Sequence, residues 1–388
     1  MLADQAAEQT ASLMTGFAER TGLSSTRPAR RYLWTDAFAV CNFLGLARST
    51  GEKRHIDLAL HLVDQVHHVL GRHRPDDSRI GWISGLAESD GERHPTRGGL
   101  RIGKPRPERA PNEPFDERLE WDRDGQYFHY LTRWMHALDQ VARSTRESRY
   151  NLWARELAAA AHAAFVHGPA SRRGMPWKMS TDLSRPLVAS TGQHDPIDGF
   201  ITCIQLEATA SRLPGESVGP SLERAAADFA RLVEQTDLRT SDPLGLGGLL
   251  ADACRLARIL DPTGGRLLER LLGAALDGVA RYARRSDWQQ PASRRLAFRE
   301  LGLAIGLAAI ERIREAPRTQ RRDAAEPAWR SVLGALAPYT ALGPAIASFW
   351  LAPENRSGAT WSEHLDINEV MLATSLLPES YLVPCPVD

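Results

Sequence analysis

The chain has 388 residues, 48 basic against 48 acidic side chains, and 43% hydrophobic and 25% charged residues. A net formal charge of zero removes any electrostatic case for nucleic acid or an anionic membrane as partner. The composition is ordinary for a globular protein, so the sequence has to be read from its patterns.

The first segment, "MLADQAAEQTASLMTGFAER", lacks a basic start and an apolar core. It reads as an amphipathic helix at about 3–20 rather than a signal peptide. Strand patterns are almost absent, and apolar residues recur at helical spacing along the chain. Two kinds of helix alternate. One kind is apolar and small on nearly all sides, which implies burial, at about 34–49, 126–144, 196–212, 244–260, 296–314 and 366–377. The other has a charged face, at about 53–71, 148–166, 220–236, 265–284 and 320–336. No apolar run approaches the roughly 20 residues of a membrane span. Four cysteines, Cys41, Cys203, Cys254 and Cys385, form no CxxC pair, and the expectation is reduced thiols in a cytoplasmic protein.

Six buried helices face five amphipathic ones, and the N-terminal helix supplies the sixth partner. The expected fold is all-α, one domain over 1–388, an (α/α)6 toroid closed by the N-terminal helix beside 366–377. Three connections, 72–124, 168–195 and 340–365, are too long for turns. Each precedes a buried helix, so all three are expected on one rim.

The openings of the buried helices carry the chemistry: "YLWTDAF", "EWDRDGQYFHY", "QHDPIDGF" and "WSEHLDINE" each set an acid beside an aromatic or a histidine. Flat rings suit the C–H faces of a sugar, and acids and histidines suit its hydroxyls. Asp is also a preferred helix cap, so capping competes with function at each acid. "GLGGLL" at 245–250 opens a buried helix with no strand before it, and close helix packing explains it better than phosphate binding. There is no Walker A loop and no HExxH; no metal and no cofactor is expected.

In its architecture and its acid- and aromatic-rich helix openings, the chain resembles the six-hairpin glycosidase-like superfamily. That resemblance implies a carbohydrate-active enzyme on a small saccharide, in the first place a glycoside hydrolase working with two carboxylates. Glu363 and Asp124 are then the leading catalytic candidates, with Asp36 and Asp195 in reserve. Trp34, Trp82, Tyr127, His129, Tyr130, Trp177, Lys178, Arg299 and Trp361 are the candidates for binding. Asp124, Tyr127 and His129 are expected partly exposed in one cavity. An alternative is an epimerase or aldose–ketose isomerase resembling N-acylglucosamine 2-epimerases, with His194 and His364 as acid and base. A third reading is a non-catalytic toroid that binds a glycan or a partner. No sequence pattern specifies an oligomeric state.

Overall fold

A computed structural model describes residues 2–168, 174–214, 219–259, 265–315 and 327–384. Cys385, the start of the amphipathic helix expected at 320–336 and part of the 168–195 connection lie outside the described residues. The chain is all-α, and among the described residues its short strands total seven residues in one antiparallel sheet. It divides into two compact units, one of residues 1–17, 48–51 and 237–384, the other of 18–47, 52–236 and 385–388.

In the second unit the buried helices are Leu33–Thr50, whose last residues belong to the first unit, Phe128–Thr145 and Asp195–Ala210. Phe128–Thr145 packs against the amphipathic Ser148–Phe165, and Asp195–Ala210 against Glu223–Gln235, as consecutive hairpins. These boundaries lie within a few residues of those read from periodicity, because a helix buried on most sides has few polar positions to blur its ends.

In the first unit, Pro243–Ile259 packs on Gly265–Arg284 and on Ala297–Arg314. The glycines of "GLGGLL" explain the second contact. A Cβ on Gly247 would lie 2.0 Å from the carbonyl oxygen of Gly302, and one on Gly306 would lie 2.5 Å from the Cα of Gly247. The two backbones touch where side chains are absent. The N-terminal helix Leu2–Arg20 reaches Leu365–Leu376, where the Thr10 hydroxyl donates to the Ala373 carbonyl at 3.4 Å.

Two expectations need correction. The 340–365 connection is largely helical and contains Leu342–Leu351, whose Ile346 and Trp350 are buried. Its apolar residues pack on Ala297–Arg314. The stretch Ala328–Leu351 is also long and apolar enough, by length and composition alone, to cross a membrane. The sequence pattern hides it because Pro338, Pro344 and scattered Ala and Gly interrupt the hydrophobic spacing. The described cysteines Cys41, Cys203 and Cys254 are free and buried, and burial pushes the Cys203 thiol up to about 12.

Candidate active site at the opening of helix Phe128–Thr145

The small sheet builds this site. Strand β1 (Gln126–Tyr127) pairs antiparallel with β2 (Lys178–Met179), Tyr127 opposite Lys178, and β2 pairs with β3 (Pro186–Val188). The long connection 168–195 is thereby stitched to the residue before the helix. Strands this short carry no period-two signal, so the sequence could not show them.

The pairing sets Trp177 on the ring of Tyr127, with centroids 4.8 Å apart and planes at 27°. His129 lies near-parallel to both rings, 5.4 Å from Tyr127 at 18° and 6.0 Å from Trp177 at 9°. Trp121 meets Trp177 edge-on at 4.9 Å. Exposure is graded along this shelf. Trp121 is 49% exposed and Tyr127 only 2%, with Trp177, His129 and Tyr130 half-buried between them. Behind it the hydroxyls of Tyr32 and Tyr130 share a 2.7 Å hydrogen bond, and Trp34 packs on Phe38 and Tyr130. An open indole edge on a rigid aromatic stack offers apolar area at low entropic cost.

At the edge of the shelf, His129 Nδ1 stands 3.6 Å from Asp195 Oδ1. That is ion-pair range and too long for a hydrogen bond, although such contacts often tighten only when substrate binds. Asp195 is the first residue of helix Asp195–Ala210, with Pro196 behind it, where the helix dipole favours a carboxylate. Its side chain is 4% exposed, and Oδ2 is buried with no hydrogen-bond partner among the described residues. A buried carboxylate oxygen left unmatched asks for an explanation. His194, one residue earlier, sits at the N-cap position without a side-chain capping bond and is half-buried. Asp198 is engaged by Arg133 at 3.1 Å.

Other candidates sit elsewhere. Asp124 is fully buried. Arg101 approaches one of its oxygens at 2.5 Å and Arg74 at 3.6 Å, and the backbone N–H groups of Gly103 and Gly125 donate to the other at 3.0 and 3.1 Å. It pins the 72–124 connection and is not partly exposed as expected. Asp36 is buried too, accepting from the Tyr32 N–H at 2.8 Å and from Arg31 at 3.3 Å; it is the helix-opening cap. Lys178 spends its ammonium on Glu120 and on the carbonyls of Glu120 and Arg123 at 2.7–2.9 Å. Burial pushes its pKa down, opposed by Glu120. Trp82 is buried beneath the Arg72 guanidinium, 4.4 Å from its ring centroid. Tyr127 is a buried support for the shelf, its phenol pushed up by burial.

Glu363, His364, Trp361 and Arg299 belong to the first unit. Trp361 is a core ring, 3% exposed and stacked on Trp350 at 5.7 Å. Arg299 pairs with Asp242 at 2.7 Å. Glu363 and His364 are exposed, and His364 meets Phe298 edge-on. Glu300, buried inside an apolar helix, is held by Arg295 at 2.6–3.0 Å and by the Trp350 N–H at 2.8 Å. Tyr32 escaped the sequence reading although it opens "YLWTDAF"; only its bond to Tyr130 marks it.

No family model matches the chain, and no curated protein matches it. A solved structure described as a sugar epimerase from a ruminal bacterium is similar over 79% of this chain and 75% of its own, at 9% identity and a TM-score of 0.43. A likeness that distant carries no argument about function.

Proposed function

We propose that this protein is a sugar-processing enzyme that moves a proton at the carbon beside the carbonyl of a free sugar, as an epimerase or aldose–ketose isomerase does. The observation that carries this reading is the His129–Asp195 pair at the edge of the Trp121–Trp177 shelf. A histidine titrates near neutrality and suits general-base work. Asp195 would hold Nδ1–H and leave the other ring nitrogen to take the proton. The shelf would carry the apolar face of the sugar. Removal of the C2 proton gives an enediolate; its return to C2 from the opposite face gives the epimer, and its return to C1 gives the isomer. His194, one residue before Asp195, remains proposed as the source of the returning proton.

Hydrolysis, the first expectation, needs two carboxylates free to act as acid and as base or nucleophile. Asp124 and Asp36 have their oxygens engaged by arginine and backbone donors, which leaves Asp195 and Glu363 from the original set. The hydrolase reading is therefore second.

The test runs free aldoses and ketoses in D2O alongside nitrophenyl glycosides. Deuterium entering beside the carbonyl, followed by NMR and lost in His129→Asn, is the expected result. Nitrophenol release without exchange would return the protein to the hydrolases, and neither reaction would leave a binding protein.

A further inference from the structure

A cavity of about 390 Å³ opens in the same unit, away from the shelf, between helix Lys53–Leu70, the 82–95 segment and helix Ser148–Phe165. Its size falls among small-molecule sites. The floor is aromatic and hidden: Trp82 is 2%, His67 3% and Tyr150 4% exposed, and Trp153 stands edge-on to His67 at 5.1 Å. An amphipathic helix that only covered a core would place Leu and Ala here.

His67 provides a fixed donor. Its Nε2 accepts the Trp134 indole N–H at 3.2 Å, so the neutral ring carries its proton on Nδ1. No described residue accepts from that nitrogen. Burial holds the ring neutral, its pKa lowered to about 3.

The rim holds charges of both signs, and they are already matched. His68 Nε2 meets Glu92 at 2.9 Å, Glu92 also lies 3.5 Å from Arg72, and Arg149 meets Glu147 at 2.8 Å. Ring faces that could take a cation carry one: Arg72 over Trp82 at 4.4 Å and Arg149 over Tyr150 at 4.8 Å. His68 also lies 3.3 Å from Asp64, and the rim cations are each paired with a carboxylate, so an anion would find no free cation here. Carboxylate oxygens and N–H groups still have capacity for hydroxyls, each of which both donates and accepts.

We propose that this cavity binds a neutral cyclic polyol of monosaccharide size, seated on the aromatic floor and bonded to the His67 ring and the Glu92 carboxylate. The site stands apart from the reaction proposed above and does not depend on it.

The experiment titrates the full chain with D-glucose, D-galactose and myo-inositol, and with glucosamine and glucuronate as charged controls, by saturation-transfer NMR and calorimetry. The neutral probes should bind, the charged ones more weakly. Leu60→Trp, which fills the cavity from its wall, should weaken binding about tenfold or more, equivalent to about 1.4 kcal/mol. Glu92→Gln, at a half-exposed position, should weaken it several-fold. Trp177→Ala, on the shelf, should leave a neutral-probe event intact. The proposal is overturned if no neutral probe binds saturably at millimolar concentration, if a charged probe binds best, or if all binding disappears with Trp177→Ala and none with Leu60→Trp or Glu92→Gln.

Discussion

Asp124 and Asp195 invite comparison. Each precedes or begins a buried helix of the same unit, each is almost inaccessible, and each has a histidine within a few residues in the sequence. Asp124 is met by two arginines and three backbone N–H groups, so its charge is fully answered by protein. Asp195 has one histidine at ion-pair distance and an oxygen with no partner among the described residues. A carboxylate whose charge is spent on its own chain stabilises the fold and is poorly placed to change protonation during a reaction. One that is buried and only half answered has interactions left for a substrate or for a neighbouring imidazole. Position at a helix opening does not separate the two; the donors that surround them do.

The comparison can be broken most directly on the Asp195 side. Asp195→Asn and His129→Asn should each lower turnover by about 10²–10⁴-fold, the usual contribution of a positioned acid or base, while the melting temperature moves little. Steady-state kinetics on the sugar identified by deuterium exchange checks this. Unimpaired turnover in both would remove the pair from the mechanism.

Asp124→Asn should do the opposite. It strands the buried Arg101 guanidinium, and losing one partner of a buried pair costs about 3–5 kcal/mol, readable by urea denaturation. A variant that is as stable as the parent but inactive would exchange the roles of the two acids.

Gly247→Ala tests whether the glycine run is structural. Its Cβ would fall on the Gly302 backbone, and overpacking of this kind costs about 1–3 kcal/mol. An unchanged denaturation midpoint would show that the two helices do not meet as closely as described.

An effect visible only in acid concerns His67. In the fold its pKa lies near 3, against an ordinary 6.5. Between those values the unfolded chain binds a proton that the native chain refuses, so stability falls as pH drops from about 6.5 toward about 3. His67→Gln should flatten that part of the stability–pH curve. An identical slope in parent and variant would mean that the ring is not held neutral.

Much of the fold was legible in the sequence because helix periodicity is local. Eleven of the expected helices appear close to where apolar spacing put them, and the close approach at Gly247 followed from a glycine run with no strand before it. Local pattern failed at Leu342–Leu351, where Pro and small residues hid a helix that tertiary packing completes. The site was legible only as a set of residue types. His129, Tyr130, Trp177 and Asp195 were all named as candidates, yet so were Asp124, Asp36, Lys178 and Trp361, whose partners are structural. Nothing local distinguishes the two groups, because a carboxylate or an indole has the same chemistry until its surroundings are known. Those surroundings come from residues distant in sequence. Arg101 reaches Asp124 across 23 positions, and strands of two residues lay Trp177 on Tyr127. Sequence by itself determined the helices and the inventory of reactive groups, since both depend on near neighbours. Which groups are spent on the fold and which remain for a ligand was decided by the tertiary structure, since burial and hydrogen-bond partners exist only once the chain has packed.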